Sequence, residues 1–79
     1  MNLDDSFFNA VSFQKDGLSY LELQYQTEDP EVIYKDADEI FSELELRSLA
    51  DIGVSPCPEG KDYLAISLFG EFNAQAYSG

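Results

Sequence analysis

Apolar residues recur along this chain at two spacings, two and then three to four, and the switch between them divides the sequence into elements. Over residues 7–14 the alternation places Phe7, Val11 and Phe13 on one face of a strand. Lys15-Asp16-Gly17 follows as a tight-turn signal, and alternation returns over 18–26. There Leu21, Leu23 and Tyr25 share one face while Glu22, Gln24 and Gln26 share the other. The two runs predict an antiparallel hairpin with one buried and one wet side.

Asp29-Pro30 then carries a helix start, a carboxylate able to cap free N–H groups before the residue favoured at the first helical position. Past it, Ile33, Ala37, Ile40, Phe41, Leu44 and Ser48 recur at helical spacing, with Gly53 placed to follow the C-cap. Asp36 with Glu39 also fits a capping pair, so the spacing is satisfied by one helix over 30–51 or by a short piece over 30–35 followed by a longer one. Residues 53–61 read as a Pro/Gly-rich loop, and 62–69 as a further strand with Leu64, Ile66 and Leu68 inward and a central place in the sheet. Gly70 interrupts it, and Phe72, Ala74 and Ala76 resume the alternation before a loose end at Tyr77-Ser78-Gly79. The outline is one α+β domain over 1–79: a small antiparallel β-sheet of three or four strands, in β-β-α-β order, with helix packed on one face.

Composition adds a charge problem to this outline. The 79 residues suit one small domain, and six Phe and five Tyr supply large side chains for its core. Against them stand 16 Asp and Glu and only four Lys and Arg, a net charge of −12. Direct binding to nucleic acid, which needs a cationic footprint, is excluded by that balance, and an anionic membrane surface would repel the chain. With no His and one Cys, the sequence serves catalysis poorly and implies no enzyme and no cofactor. Cys57, set between Pro56 and Pro58, reads as a lone loop thiol. Asp36-Ala37-Asp38 opens like a calcium loop, but Ile40 and Phe41 occupy the positions that need an oxygen ligand and a glycine. An acidic start and no apolar run near ~18 residues predict neither a secretion signal nor a membrane span, hence a cytoplasmic protein.

The acids are unevenly spread. Nine of them (Glu28, Asp29, Glu31, Asp36, Asp38, Glu39, Glu43, Glu45 and Asp51) fall between residues 28 and 51, against Lys35 and Arg47. At ~100° per residue, Asp36, Glu39 and Glu43 form a stripe beside the apolar helix face, with Asp38 and Glu45 on another flank. Acids on a wet face keep a small protein soluble, yet like charges such as Glu39 and Glu43 one turn apart cost ~0.2–0.5 kcal/mol per pair. Leu46 and Leu49 point away from the core face on the same wheel. Either the helix bends after Glu45, or an apolar patch lies beside the acids. Asp36, Asp38, Glu39, Glu43, Glu45, Leu46 and Leu49 are therefore the candidate partner-binding residues.

In size, acidity and the crowding of carboxylates over 28–51, the chain resembles the small acidic inhibitors made by phages and mobile elements, and among these anti-CRISPR proteins of the DNA-mimic kind. That resemblance implies a stoichiometric inhibitor that occupies a basic nucleic-acid-binding surface, such as the duplex-reading channel of a CRISPR-Cas surveillance complex. An immunity or antitoxin-like inhibitor of a basic nuclease, and a general protein-interaction domain, fit the same features.

Overall fold

The computed structural model describes residues 3–56 and 63–73, and contains β1 (Phe7–Lys15), β2 (Leu18–Tyr25), α1 (Pro30–Leu44), β3 (Ser48–Pro56) and β4 (Leu64–Glu71). The four strands form one antiparallel sheet in the order β1-β2-β4-β3, with α1 on one face. The α+β class and the helix-covered small sheet follow the expectation. Cys57, the start of the last strand at Asp62, and the continuation through Ala74 and Ala76 lie outside the described residues.

Asp16 and Gly17 turn the first hairpin with φ of 54° and 79°. Positive φ at both central residues gives the primed turn that matches strand twist, which is why Asp-Gly serves there. One shift from the expected register occurs at the other end of β1. An irregularity between Phe7 and Asn9 returns Phe7 to the core side, opposite Tyr25, while Val11 and Phe13 stay on the outer side opposite Glu22 and Tyr20. The ring of Phe7 meets that of Tyr25 edge-on at 5.7 Å.

Asp29 caps α1 as expected: its Oδ1 accepts the Glu31 N–H at 3.0 Å, and Pro30 opens the helix. The helix is one piece, but it stops at Leu44, well short of residue 51. Glu45 adopts the left-handed conformation (φ 49°, ψ 55°), its N–H reaching the Ser42 carbonyl at 3.4 Å. Residues 48–56, expected as the end of a helix and the start of a loop, form β3 instead. Their local helix preference yields to pairing with β4, which gains a neighbour on its second side. Gly70 makes the join possible. A Cβ there would overlap the Ser48 carbonyl oxygen and come within 2.9 Å of the Leu49 Cα, where β3 bulges past β4.

The core lies between α1 and the two central strands. Leu21, Leu23 and Tyr25 of β2 and Ile66 and Leu68 of β4 are closed over by Ile33, Ile40 and Leu44, with Phe72 at the margin. Burying each such side chain contributes about 1.5–3 kcal/mol.

Candidate functional site

Asp36 sits within the helix face that covers the sheet. It is 7% exposed, and one carboxylate oxygen, Oδ2, accepts both the Tyr25 hydroxyl and the Asp4 backbone N–H at 2.8 Å. The expected surface stripe of Asp36, Glu39 and Glu43 therefore loses its first member, because a carboxylate at that angle meets the tyrosine at the end of β2. Asp36 ties the segment before β1 to the helix. Asp4 continues the tie, since its own carboxylate accepts from the Ser6 hydroxyl at 2.7 Å and the Ser6 N–H at 3.0 Å. Those two donors, the hydroxyl first, hold Asp4 below the ordinary carboxylate range.

The other expected site residues separate into three places. Glu39 and Glu43 remain on α1, one turn apart (about 6 Å along the axis), Glu43 exposed and Glu39 half-buried. Asp38, exposed, lies on the opposite flank between Tyr34 and Phe41. Glu45, Leu46 and Leu49 leave the helix altogether. Glu45 is its left-handed cap, Leu46 packs against the core, and Leu49 stands on β3 opposite Gly70. The choice between a bend after Glu45 and a helical apolar patch is thus settled by a strand: Leu49 is joined on that strand by Ile52, not by Leu46.

Leu49, Ile52 and Val54 face the side of the sheet that carries α1, but the helix leaves β3 partly open. Tyr34, Ala37 and Phe41 of α1 and Ile52, Val54 and Ile66 of the sheet line a groove of about 410 Å³. A second depression, of about 330 Å³, lies at the sheet end between Gln14, Glu45, Arg47, Glu71 and Phe72.

The face away from α1 was expected to be the wet one, and its middle is polar. Glu22 accepts from the Tyr20 hydroxyl at 2.8 Å and from Gln24 Nε2 at 2.6 Å, and Gln24 accepts from Asn9 at 3.0 Å. Around this network stand Phe8, Val11, Phe13 and Phe69, all exposed. The hydrogen bond between Tyr20 and Ser67 pulls the Tyr20 phenol down. Partial burial and the Glu22 carboxylate outweigh that pull and raise it above the ordinary phenol value. These outer-face residues were legible only as strand alternation, because which face α1 covers is decided by the whole sheet.

A scan of protein-family models and searches of curated proteins and of solved structures gave no match to the chain. Site chemistry therefore rests on the residues themselves. Among the described residues, no three His, Cys, Asp or Glu side chains converge to hold a metal ion, and no helix is long and apolar enough to cross a membrane. The described residues likewise leave the carboxylates of Asp38, Glu39, Glu43, Glu45 and Asp51 without a hydrogen bond or ion pair.

Proposed function

We propose that the protein is a non-catalytic, stoichiometric inhibitor that binds a basic nucleic-acid-binding surface of another protein, its carboxylates taking the place of phosphates. The observation that carries this reading is the unspent charge on α1 and after it. The carboxylates of Asp38, Glu39, Glu43 and Glu45 make no hydrogen bond or ion pair among the described residues, in a chain of net charge −12. Glu39 and Glu43 repel one another across one turn, a cost to the helix that a basic partner would convert into attraction. Their rise of about 6 Å is close to two phosphate steps of one DNA strand, at ~3.4 Å each. A field of this sign raises encounter rates with a basic target, and pairs desolvated on contact then fix the register.

The sequence-level resemblance makes a CRISPR-Cas surveillance complex the first target to test. Release of labelled duplex from that complex is measured as the protein is titrated in, at low and high salt. The parent should displace DNA near one equivalent and lose potency as salt rises, because exposed charges are screened beyond about 8 Å at physiological ionic strength. Asp38→Lys/Glu39→Lys/Glu43→Lys should compete at least a hundredfold less well with its circular dichroism unchanged. Equal potency of this variant would make the helix acids a solvated face and remove the reading. Activity against a basic nuclease in place of the CRISPR complex would keep the acidic docking and change the target.

A further inference from the structure

Past Phe7, the large apolar side chains of β1 point away from the core. Toward α1 the strand presents Ala10, Ser12 and Gln14, and toward the open side Val11 and Phe13, the latter 56% exposed. Phe13 stacks on Tyr20 with ring centroids 4.9 Å apart, and Tyr20 lies opposite Phe69 in register. A row of three rings thus crosses β1, β2 and β4 and ends at Asp51 of β3, opposite Phe69. An apolar row of this kind on an uncovered face marks a contact surface.

Beside the row the sheet falls to small residues. Gly53 and Ser67, opposite one another, floor a hollow of about 150 Å³ walled by Tyr20, Phe69 and Asp51. Gly53 has no backbone need to be glycine. Its φ is outside the left-handed region, and a Cβ added there would meet nothing within 4 Å. Glycine in a strand costs roughly 0.5–1 kcal/mol in conformational freedom, and it often marks a place where another molecule approaches closely. The missing side chain at residue 53 keeps the hollow open.

We propose that this hollow seats an arginine side chain of a basic protein partner that docks on the open face of the sheet. The guanidinium lies flat against the Tyr20 and Phe69 rings and donates to the Asp51 carboxylate, which has no other partner among the described residues. Glu22, by accepting the Tyr20 hydroxyl, holds that ring in place and adds negative potential. Arginine fits better than lysine because its planar, weakly hydrated head stacks on aromatic rings while presenting a fork of donors. A second copy of this chain fits poorly, since it would set Asp51 and Glu22 against a surface of the same sign on a molecule of net charge −12. The proposal rests on the reading that the partner is basic and adds a contact on the face opposite α1.

The test is a titration of the ¹⁵N-labelled protein, followed by amide shifts, with the peptide acetyl-Gly-Arg-Gly-amide at low salt. Saturating shifts are expected at Tyr20, residues 51–55, Ser67 and Phe69, with the lysine peptide several-fold weaker and the neutral citrulline peptide silent. Gly53→Val, which fills the hollow with a residue strands favour, should weaken the arginine peptide at least tenfold without lowering the melting temperature. Shifts spread along α1 for lysine and arginine alike would overturn the proposal. So would unchanged affinity in Gly53→Val, or concentration-dependent shifts on this face without peptide, the sign of a second copy. If the peptide fails while the helix charge reversals still abolish competition, the seat falls and the inhibitor reading stands. If the peptide binds as expected and the reversals change nothing, the assignment to the helix acids falls.

Discussion

Replacing Asp36 by alanine should damage the fold where replacing its helical neighbours does not. The substitution removes one buried acceptor atom and with it two hydrogen bonds, from the Tyr25 hydroxyl and the Asp4 N–H. Bonds to a charged group are worth about 1.5–3 kcal/mol each, and the Asp4 end is only partly buried, so a total near 3 kcal/mol is expected. A domain of this size has roughly 4–12 kcal/mol in all, and about 3 kcal/mol lowers its melting temperature by roughly 12–24 °C. Asp36→Asn is the sharper comparison. Both donors converge on Oδ2, so an amide oxygen in the same place keeps both bonds and loses only the charge, at about 1 kcal/mol. Asp36→Lys should prevent folding, which is why a reversal at this position says nothing about binding. Urea unfolding read by far-ultraviolet circular dichroism gives all three values, with Glu43→Ala as the exposed control, expected within about 0.5 kcal/mol of the parent. If Asp36→Ala is as stable as that control, or Asp36→Asn is no better than Asp36→Ala, the buried tie is not what holds the first segment to the helix.

Two further outcomes follow from the backbone and from the outer face. Glu45→Gly relieves a left-handed residue that carries a side chain, and should stabilise the domain by about 1 kcal/mol in the same urea assay. Tyr20 should ionise above the ordinary phenol value in an absorbance titration of the native protein read by difference from Tyr20→Phe, and Glu22→Gln should bring it back toward that value. The sign follows from linkage. A phenol raised in the folded state contributes stability that is fully present below its unfolded pKa near 10 and is lost as pH rises through the higher folded value.

Local chemistry was readable wherever a few adjacent residues decide the structure. Asp16-Gly17 sets the hairpin because only a primed turn suits twisted strands, and Asp29-Pro30 sets the helix start because cap and first turn are contiguous. The failures share one cause, dependence on a partner distant in sequence. Residues 45–52 contain Leu46, Arg47, Leu49 and Ala50, good helix formers all, and nothing within that stretch announces that β4 offers a ladder of hydrogen bonds. Asp36 looked like a surface acid for the same reason. Its angle on the wheel is marginal, and only the tyrosine ending β2 and the backbone at Asp4 turn that margin into an interior. Alternation alone puts Phe7 and Val11 on one face, because the bulge that separates them leaves no mark in an alternating pattern. Of the candidate site, the excess of acid was plain and its distribution was not: the stripe loses Asp36 to the interior, Glu45 leaves the helix, and the hollow at Gly53 depends on the registers of three strands.

The sheet order has a consequence for how the chain is made. β4 pairs with both β2 and β3, so one of the two central strands of the sheet is also the last described strand to leave the ribosome. Until residues 64–72 emerge, the growing chain holds a hairpin whose Leu21, Leu23 and Tyr25 have no second strand beside them, a helix with no complete floor, and a β3 segment free to continue as helix. Synthesis at about 5–20 residues per second crosses that interval in a few seconds at most. The nascent protein passes it with its apolar face unsealed and its acids already displayed, and the repulsion among those acids discourages neighbouring chains on a polysome from joining their open edges.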